Sequence, residues 1–249
     1  MIVLKSPTEL AAMKRAGKVV ARAHQVLAEK IRPGMKTREL DEIVEAFFEK
    51  EGAVSAFKGY QGYPANICVS RNEQVVHGIP GELVLEEGDI VSVDIGAIVD
   101  GFHGDSAWTY PVGRISPERR RMLEVGEGAL YAGIEKAVVG NRLSDISHAV
   151  QSYVEARGYS VVRDLVGHGI GRAMHEAPQV PNFGPPGRGP RLKAGMTLAI
   201  EPMINAGGYE VEVLEDEWTV VTADGSDSVH FEHTVAITPD GPWILTALE

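Results

Sequence analysis

The chain lacks the features that mark several large classes of protein. It has one cysteine, Cys68, in 249 residues, which excludes an intrachain disulfide framework and suits a reducing compartment. No apolar run approaches the roughly 18–20 residues of a membrane span, and the amino-terminal residues break too early for a secretory signal. These absences predict a cytoplasmic protein that contacts no membrane.

Positive charge is also scarce, because 24 Lys and Arg residues stand against 35 Asp and Glu residues and leave a net charge of −11. This balance argues against a nucleic-acid partner and against a nucleic-acid-binding or chaperone-like module, since no basic patch is present. Apolar residues make up 44% of the sequence, which is ordinary for a globular chain. No linker-like stretch divides it, so residues 1–249 are predicted to form a single domain.

Two segments of the sequence have nearly the same pattern. Residues 85–94 (LEEGDIVSVD) and 192–201 (LKAGMTLAIE) each read as a turn that leads into a strand and ends in an acid. A duplicated fold that joined its two strand ends would bring Asp94 and Glu201 together. Because two facing carboxylates are rarely stable without a cation between them, the repeat predicts a metalloenzyme.

Two pairs of helices repeat at nearly the same interval. The residues predicted to open the four helices are Ser6 (a capping box with Glu9), Thr37, Ser116 and Ser144. The residues predicted to end the first and third helices are Pro33-Gly34 and Gly140. Each half, residues 1–115 and 116–249, thus reads as two helices followed by antiparallel strands. The pattern predicts an α+β fold with two pseudo-symmetric halves, in which helices flank antiparallel sheet.

The first acid lies in a predicted hairpin. Asp100-Gly101 is a good turn centre. That turn places Gly96 opposite Asp105, so Asp94 and Asp105 become diagonal neighbours on one face. Such neighbours lie roughly 7–8 Å apart at the backbone, close enough to share an ion. Taken alone, the two acids could instead be solvated groups near a turn.

Histidines and one more glutamate complete the candidates. His168 stands between Gly167 and Gly169, which permit close approach of a ligand to the backbone. Glu232 is predicted on a strand, facing away from its apolar neighbours. A single histidine in such a setting is more often a hydrogen-bonded structural residue than a ligand. Four carboxylates and one histidine as a set favour a metal site.

Donor chemistry narrows the choice of metal. An oxygen-rich set with one imidazole favours Mn, Fe(II) or Co over a closed structural zinc site. The carboxylates suffice to bridge two ions roughly 3.5–4 Å apart, as in dinuclear aminopeptidases. A water held between two such ions ionises near neutral pH, so hydrolysis is the expected chemistry.

In this order and spacing the motifs resemble those of type I methionine aminopeptidases, a family with the pita-bread fold. The motifs are residues 60–68 (YQGYPANIC), 77–80 (HGIP), Asp94, 101–105 (GFHGD), 167–172 (GHGIGR), 174–176 (MHE), 201–202 (EP) and 232–234 (EHT). The resemblance covers essentially the whole chain. It implies hydrolytic removal of the initiator methionine from nascent polypeptides when the next residue is small.

The resemblance also implies roles for individual residues. The implied metal ligands are Asp94, Asp105, His168, Glu201 and Glu232, which would hold two divalent ions (Co, Mn or Fe(II), with Zn as a further candidate). The implied catalytic residues are His77, His175 and Glu201. The implied substrate-binding residues are Tyr60, Tyr63, Cys68, His77, His175 and Trp218. The implied partners are nascent polypeptide amino termini and, transiently, the ribosome, and the implied state is a monomer.

Two positions depart from the pattern of bacterial members of that family. Phe57 stands where a cysteine is often found, and Met174 stands where a bulky aromatic is common. Both keep the pocket apolar, so an altered side-group preference is expected. Ordinary core packing is the alternative explanation for these side chains, above all for Phe57.

Related proteins offer further alternatives. Proline-selective peptidases and creatinase-like proteins carry an additional amino-terminal domain, for which a first helix starting at Ser6 leaves no room. Type II methionine aminopeptidases carry a helical insertion in the second half, and no segment of that size separates His175 from Glu201. A metal-free homologue that binds peptides without cleaving them would have lost one or more of the five ligands, whereas all five are present.

Overall fold

The computed structural model describes residues 1–248. The helices are α1 (Pro7–Lys30), α2 (Thr37–Glu51), α3 (Pro117–Ile134) and α4 (Leu143–Glu155), with a short 3-10 turn at Tyr60–Gly62. Within this part of the chain, no helix combines the length and the apolar character needed to cross a membrane.

The strands pair in antiparallel fashion throughout. They are β1 (Val54–Ser55), β2 (Ile67–Arg71), β3 (Gln74–Val76), β4 (Ile90–Val99), β5 (Phe102–Pro111), β6 (Ser160–Val161), β7 (Gly167–Gly169), β8 (Glu176–Val180), β9 (Thr197–Ile200), β10 (Met203–Asn205), β11 (Val211–Val213), β12 (Val220–Thr222), β13 (Ser228–His230), β14 (His233–Thr238) and β15 (Gly241–Ile244). The sheets have the orders β1-β4-β2 with β5 beside β4, β13-β10-β6, β11-β12-β3 and β15-β14-β9-β7-β8. Helices with antiparallel sheets confirm the predicted α+β class.

Each pair of helices covers one face of a sheet with an apolar stripe. On the first half, Leu27 of α1 and Leu40 of α2 pack in one buried cluster with Ile95 of β4. On the second half, Leu130 of α3 packs in another cluster with Ile200 of β9. Because the helices bury one face of these two sheets, the opposite faces are left to line a site.

Two of the four predicted helix starts are confirmed. Ser6 forms a capping box with Glu9 at the start of α1, and the Ser116 hydroxyl accepts a hydrogen bond from the Arg119 amide at the start of α3. The predicted end of α1 is also confirmed, since the helix ends at Lys30, shortly before Pro33.

Thr37 and Ser144 were wrong as caps, because each lies inside its helix. The capping residues are Lys36 and Arg142, whose backbone amides donate to acids one turn on (Glu39 at 2.6 Å and Asp145 at 2.7 Å). The Thr37 hydroxyl is engaged instead with the backbone of the loop before β4, at Gly81. The predicted end of α3 at Gly140 was also wrong, since the helix stops at Ile134.

The same backbone contact recurs in both halves. The residue before the second helix of each half forms an isolated antiparallel bridge to the segment that precedes the acidic strand, as Lys36 with Val84 and Arg142 with Arg191. This recurrence agrees with the predicted halves, residues 1–115 and 116–249, of a single domain. The division and the duplication stay predictions.

Two hairpins meet at the centre of the molecule. The first hairpin, β4 with β5, is continuous, and Gly96 lies opposite Asp105 as the turn had predicted. The second hairpin runs from β9 through β10 and returns through β13 and β14. It is interrupted at residues 201–202 and 231–232. Two expectations are corrected: Asp94 lies inside β4 and not at its end, and Glu232 lies in a gap between strands.

Candidate metal centre

The two hairpins are joined by side chains of β5. Ser106 Oγ donates to the carbonyl of Glu232 (2.7 Å), and Thr109 Oγ1 donates to the carbonyl of His230 (2.9 Å). In the other direction, the Glu232 amide donates to the Ala107 carbonyl at 2.9 Å. These bonds fix the acids of both hairpins around one space.

That space is a cavity of about 370 Å³. The predicted site residues that line it are Tyr60, Tyr63, Cys68, His77, Asp94, Asp105, His168, His175, Glu201 and Trp218. Glu232 is not among the lining residues, but its buried side chain lies beside Asp105 and His168. Residues far apart in sequence are therefore brought to one place.

Potential ligand atoms fall into two overlapping groups. Those of Asp105, His168 and Glu232 lie within 4.8 Å of one another, and so do those of Glu201, His230 and Glu232. Glu232 is common to both groups, so its carboxylate would be within reach of an ion held by either group. Asp94 belongs to neither group and reaches the same cavity from β4.

His168 is oriented as metal-binding histidines usually are. Its Nδ1 lies 2.9 Å from the carbonyl oxygen of Gly169, and donation to that carbonyl assigns the proton to Nδ1. The other ring nitrogen, Nε2, then faces Glu201 Oε1 at 3.4 Å and Asp105 Oδ2 at 3.7 Å with its lone pair free. A backbone carbonyl that fixes the tautomer in this way leaves the second nitrogen available to a cation.

The glycines that flank His168 have a different purpose from the one expected. A Cβ on Gly167 would lie 2.3 Å from the Ala199 carbonyl oxygen, and one on Gly169 would lie 2.3 Å from that of Ala177. Both glycines therefore permit β7 to pack tightly against adjacent backbone. Their closeness serves the protein itself and not a ligand.

The four acids share an environment that disfavours their ionised forms. Burial raises the pKa of Asp94 and of Glu201 to about 7. Burial, followed by the charges of the neighbouring acids, holds the pKa of Asp105 and of Glu232 well above the usual range. All four acids can be ionised together only when a cation offsets their repulsion.

Several buried polar atoms of the cavity have no hydrogen-bond partner in the protein. They are Asp94 Oδ1, Asp105 Oδ1, Glu232 Oε1 and His230 Nε2. Buried polar atoms are nearly always paired, so this cluster of unpaired acceptors indicates a site that suits a cation. Three carboxylate oxygens and a nitrogen suit a divalent transition metal, and the residues present therefore fit such an ion.

His230 is a site residue that sequence reasoning missed. Its ring is buried, and Nε2 lies 3.5 Å from Glu201 Oε2. Burial lowers the pKa of His230, which keeps the ring neutral. The available signal was its position two residues before Glu232, because alternate residues of extended chain point to the same side.

An apolar pocket adjoins the acids. The ring of Tyr63 meets Trp218 edge-on at 5.0 Å between centroids, and Cys68 is buried beside them. Burial raises the pKa of the Cys68 thiol, so the group behaves as a small hydrophobe. Phe57 and Met174 line the cavity and also belong to the same packed cluster. The expected pocket role and the core-packing alternative therefore both apply to them.

Two histidines stand at the other side of the cavity. His175 Nδ1 lies 2.8 Å from the Tyr60 hydroxyl, and its ring is 4.2 Å from that of His168. Burial lowers the pKa of His77 to about 4 and also lowers the pKa of His175. Both rings are therefore neutral at pH 7, and each can donate one N–H to a bound molecule.

Known proteins resemble this chain along its full length. The sequence matches metallopeptidase family M24 over residues 11–239. It is 58% identical to methionine aminopeptidase 1 of Bacillus subtilis over 246 residues, covering 99% of each chain, and 56% identical to methionine aminopeptidase of Clostridium perfringens, covering all of both.

Solved structures agree with the sequence relatives. The crystal structure of methionine aminopeptidase from Thermotoga maritima matches with a TM-score of 0.98 at 48% identity, covering 100% of both chains. The prolidase of Pyrococcus furiosus matches with a TM-score of 0.80 at 24% identity, covering 99% of this chain and 66% of that one, which shows the fold alone. The predicted pita-bread fold and the predicted resemblance are confirmed. The chain belongs to metallopeptidase family M24 and, within it, to the methionine aminopeptidases.

Proposed function

We propose that this protein removes the amino-terminal methionine from polypeptides by metal-dependent hydrolysis of the first peptide bond. The observation that carries the proposal is the single cavity in which unpaired buried acid oxygens adjoin an apolar pocket. The high identity to proteins named methionine aminopeptidase over the full chain supports the same activity.

Acids from both hairpins would hold the metal. Asp94, Asp105, His168, Glu201 and Glu232 are the side chains that would hold two divalent ions. Such ions would supply Lewis-acid chemistry for hydrolysis of the peptide bond. Co, Mn, Fe(II) and Zn are the candidate metals.

Glu201 has a second proposed role as the proton carrier. Its carboxylate lines the cavity directly, where it can accept a proton from the attacking water and pass it to the leaving amine. Such transfers require a group within hydrogen-bond reach of both atoms. The position of Glu201 at the mouth of the gap between β9 and β10 leaves its side chain free to reach into the cavity.

His175 and His77 are the proposed hydrogen-bond donors to the substrate. When the Tyr60 hydroxyl donates to His175 Nδ1, the proton of that ring resides on Nε2. The Nε2–H group can then donate to the scissile carbonyl and more strongly to the oxyanion that forms from it, which stabilises the transition state. His77 positions the substrate and assists the same step.

The apolar pocket is the proposed site for the methionine side chain. Tyr60, Tyr63, Cys68 and Trp218 present aromatic and sulfur surfaces, which suit a thioether. Phe57 and Met174 alter the shape of this pocket without adding polarity, so the preference for analogues of methionine changes while activity is retained.

The biological setting is proposed with the activity. The substrates are the amino termini of nascent polypeptides with a small second residue, met in the cytoplasm with transient contact to the ribosome. The acting species is a monomer. The single cysteine suits that reducing compartment.

Release of free methionine from a Met-Ala-Ser peptide tests the function. The purified protein should cleave this peptide, should cleave a Met-Trp-Ser peptide far more slowly, and should lose activity when divalent metal is chelated. Addition of Mn or Co should restore cleavage. Peptide binding without turnover under every metal would contradict the proposal and favour a non-catalytic peptide-binding protein.

A further inference from the structure

The segment that carries His175 is hydrogen-bonded to one carboxylate, that of Glu176. This segment, residues 170–175, connects β7 to β8 and is termed the His175 loop. Glu176 follows it directly, and Glu176 Oε1 accepts hydrogen bonds from the backbone amides of Arg172 (3.0 Å) and Ala173 (3.3 Å). The carboxylate of Glu176 therefore fixes the backbone of the loop that leads into His175.

The other oxygen of Glu176 is paired with a cation from the amino-terminal segment. Lys5 Nζ contacts Glu176 Oε2, and the two side chains are only 4% and 15% exposed. Lys5 is itself anchored, since its backbone amide donates to the Gly195 carbonyl at 2.7 Å. An ion pair this deeply buried costs much desolvation and contributes little net stability, so its value lies in the geometry that it imposes.

The start of the His175 loop is held separately. The carbonyl of Gly171 accepts a bond from the His103 amide at 2.8 Å, which ties the loop to β5 and hence to the first hairpin. The amino-terminal segment, β5 and β9 thus hold the loop from different sides, the last through the bond of the Ile170 amide to the Thr197 carbonyl at 3.2 Å. Freeing the Lys5 contact releases one side only.

His175 adjoins this support in the chain. Its covalent neighbour Glu176 is the residue that Lys5 contacts, while its ring is placed by the Tyr60 hydroxyl at 2.8 Å. Because the ring is 4.2 Å from that of His168, a small shift of the loop changes where the His175 N–H points relative to the metal ligands.

We propose that Lys5 is a positioning residue, which acts through Glu176 to hold His175 against the scissile bond. The inference rests on the proposed function, in which His175 donates to the substrate carbonyl. It assigns the amino-terminal segment of the chain a direct influence on turnover and none on metal binding.

Replacement of Lys5 by methionine in the metal-loaded protein tests this role. Lys5→Met should lower kcat by about tenfold, a fraction of the roughly 100-fold cost of a 1 Å misplacement. KM and the metal dissociation constant should change by less than about twofold, because the metal ligands and the apolar pocket are untouched. Hydrogen–deuterium exchange at the Arg172 and Ala173 amides should accelerate. Lys5→Arg, which keeps the charge, should recover most of kcat.

A double-mutant cycle with His175→Ala separates positioning from general damage. If Lys5 acts through His175, Lys5→Met should cause no further loss of kcat in the His175→Ala background. An additional tenfold loss there would overturn the proposal, as would an unchanged kcat in Lys5→Met alone. Weakened metal binding would also overturn it, because the effect would then pass through His168.

A second variant covers the case in which a lone buried carboxylate unfolds the protein. Lys5→Met with Glu176→Gln leaves no unpaired charge and should show the same loss of kcat as Lys5→Met. The matched control is Arg15→Met, which removes an exposed pair with Asp100 and should leave kcat unchanged. Wild-type protein that releases no methionine contradicts the proposed function, whereas normal exchange at Arg172 and Ala173 in Lys5→Met contradicts the positioning role.

Discussion

The first and second hairpins bring acids to the same cavity in different ways. In the first, β4 and β5 are unbroken strands of 10 residues each, and they carry the short acids Asp94 and Asp105. In the second, both sides are interrupted, and the interruptions carry the longer acids Glu201 and Glu232. A regular strand can present a short side chain at a fixed register, whereas a gap in the strand requires a longer reach.

The gap in the second hairpin is fully accommodated by other bonds. Pro202 cannot donate a ladder hydrogen bond, and the Glu201 carbonyl is satisfied by Asn182 Nδ2 at 3.0 Å. The Phe231 amide donates to the Pro202 carbonyl at 3.3 Å, and the Glu232 amide donates across to Ala107 of the first hairpin at 2.9 Å. The two hairpins are therefore unequal: the strands of the first are continuous, whereas the second is interrupted and is bonded to the first at its gap. The support is mutual, since the Asp105 amide of the first hairpin donates to Thr234 Oγ1 of the second at 3.1 Å.

The largest effect on activity should come from neutralising one proposed metal ligand of each hairpin. Asp105→Asn and Glu232→Gln should each lower kcat/KM by at least about 10³-fold, beyond the roughly 10–100-fold typical of partners behind the ligands. Bound metal, assayed by elemental analysis, should fall in parallel. Asp240→Asn, at an exposed acid, is the control. A large loss of kcat/KM for only one of the two variants would contradict the claim that both hairpins contribute to the metal site.

Shortening the acid at the gap should have the next largest effect. Glu201→Asp keeps the charge but withdraws the carboxylate by about one C–C bond, roughly 1.5 Å. A displacement of that size should cost about 100-fold in kcat. Glu215→Asp, at an exposed position, should have no effect on methionine release. Near-normal turnover by Glu201→Asp would show that the length of this side chain does not determine whether its carboxylate reaches the metal site.

The acids should destabilise the protein when metal is absent. The pKa of Asp94 is about 7 in the folded chain and near 3.8 in an ordinary setting, so the folded state binds more protons between these values and wild-type stability falls as pH rises through that window. Asp94→Asn in chelator should therefore unfold at a temperature higher by about 3 °C or more at pH 8, with the difference closing near pH 4.

Added manganese should reverse the order, because metal stabilises the wild-type protein through its ligands. Equal melting temperatures for Asp94→Asn and wild type in chelator at pH 8 would contradict this prediction. They would show that the ionised cavity acids do not destabilise the metal-free protein.

The smallest effect on metal binding should come from the side-chain hydrogen bonds that join the two hairpins. Thr109→Val leaves the amide and carbonyl of His230 without the bonds of 3.0 and 2.9 Å that Thr109 makes to them. The free energy of unfolding should fall by about 2 kcal/mol, measured by urea denaturation, while metal content is retained. Thr8→Val, on the exposed start of α1, is the matched control. An unchanged unfolding midpoint for Thr109→Val would show that the second hairpin does not depend on its hydrogen bonds to the first.

Local signals predicted the first hairpin well. The Asp100-Gly101 turn fixes the register, and the register places Gly96 opposite Asp105 as observed. The gap at Glu232 could not be predicted in this way, since neither Phe231 nor Glu232 breaks a strand by itself. That gap arises from the bond to β5, a contact between distant parts of the chain.

Helix boundaries show the same limit. A side-chain cap such as Ser6 is readable because the serine and its Glu9 partner are close in sequence. The starts of α2 and α4 are set instead by the backbone of Lys36 and Arg142, each held by a bridge to a remote segment. The role of His230 could not be predicted for a related reason. Its ring lies near Glu201 only because the two hairpins meet in the folded structure.

Anomalous diffraction at the manganese edge, from crystals soaked in manganese, most directly tests the claim that both hairpins hold a divalent metal in one cavity. Peaks should lie inside the cavity, flanked by the carboxylates of Asp105 and Glu232 and within reach of His168 Nε2. A cavity without any anomalous peak, or acids turned outward to solvent, would contradict the account.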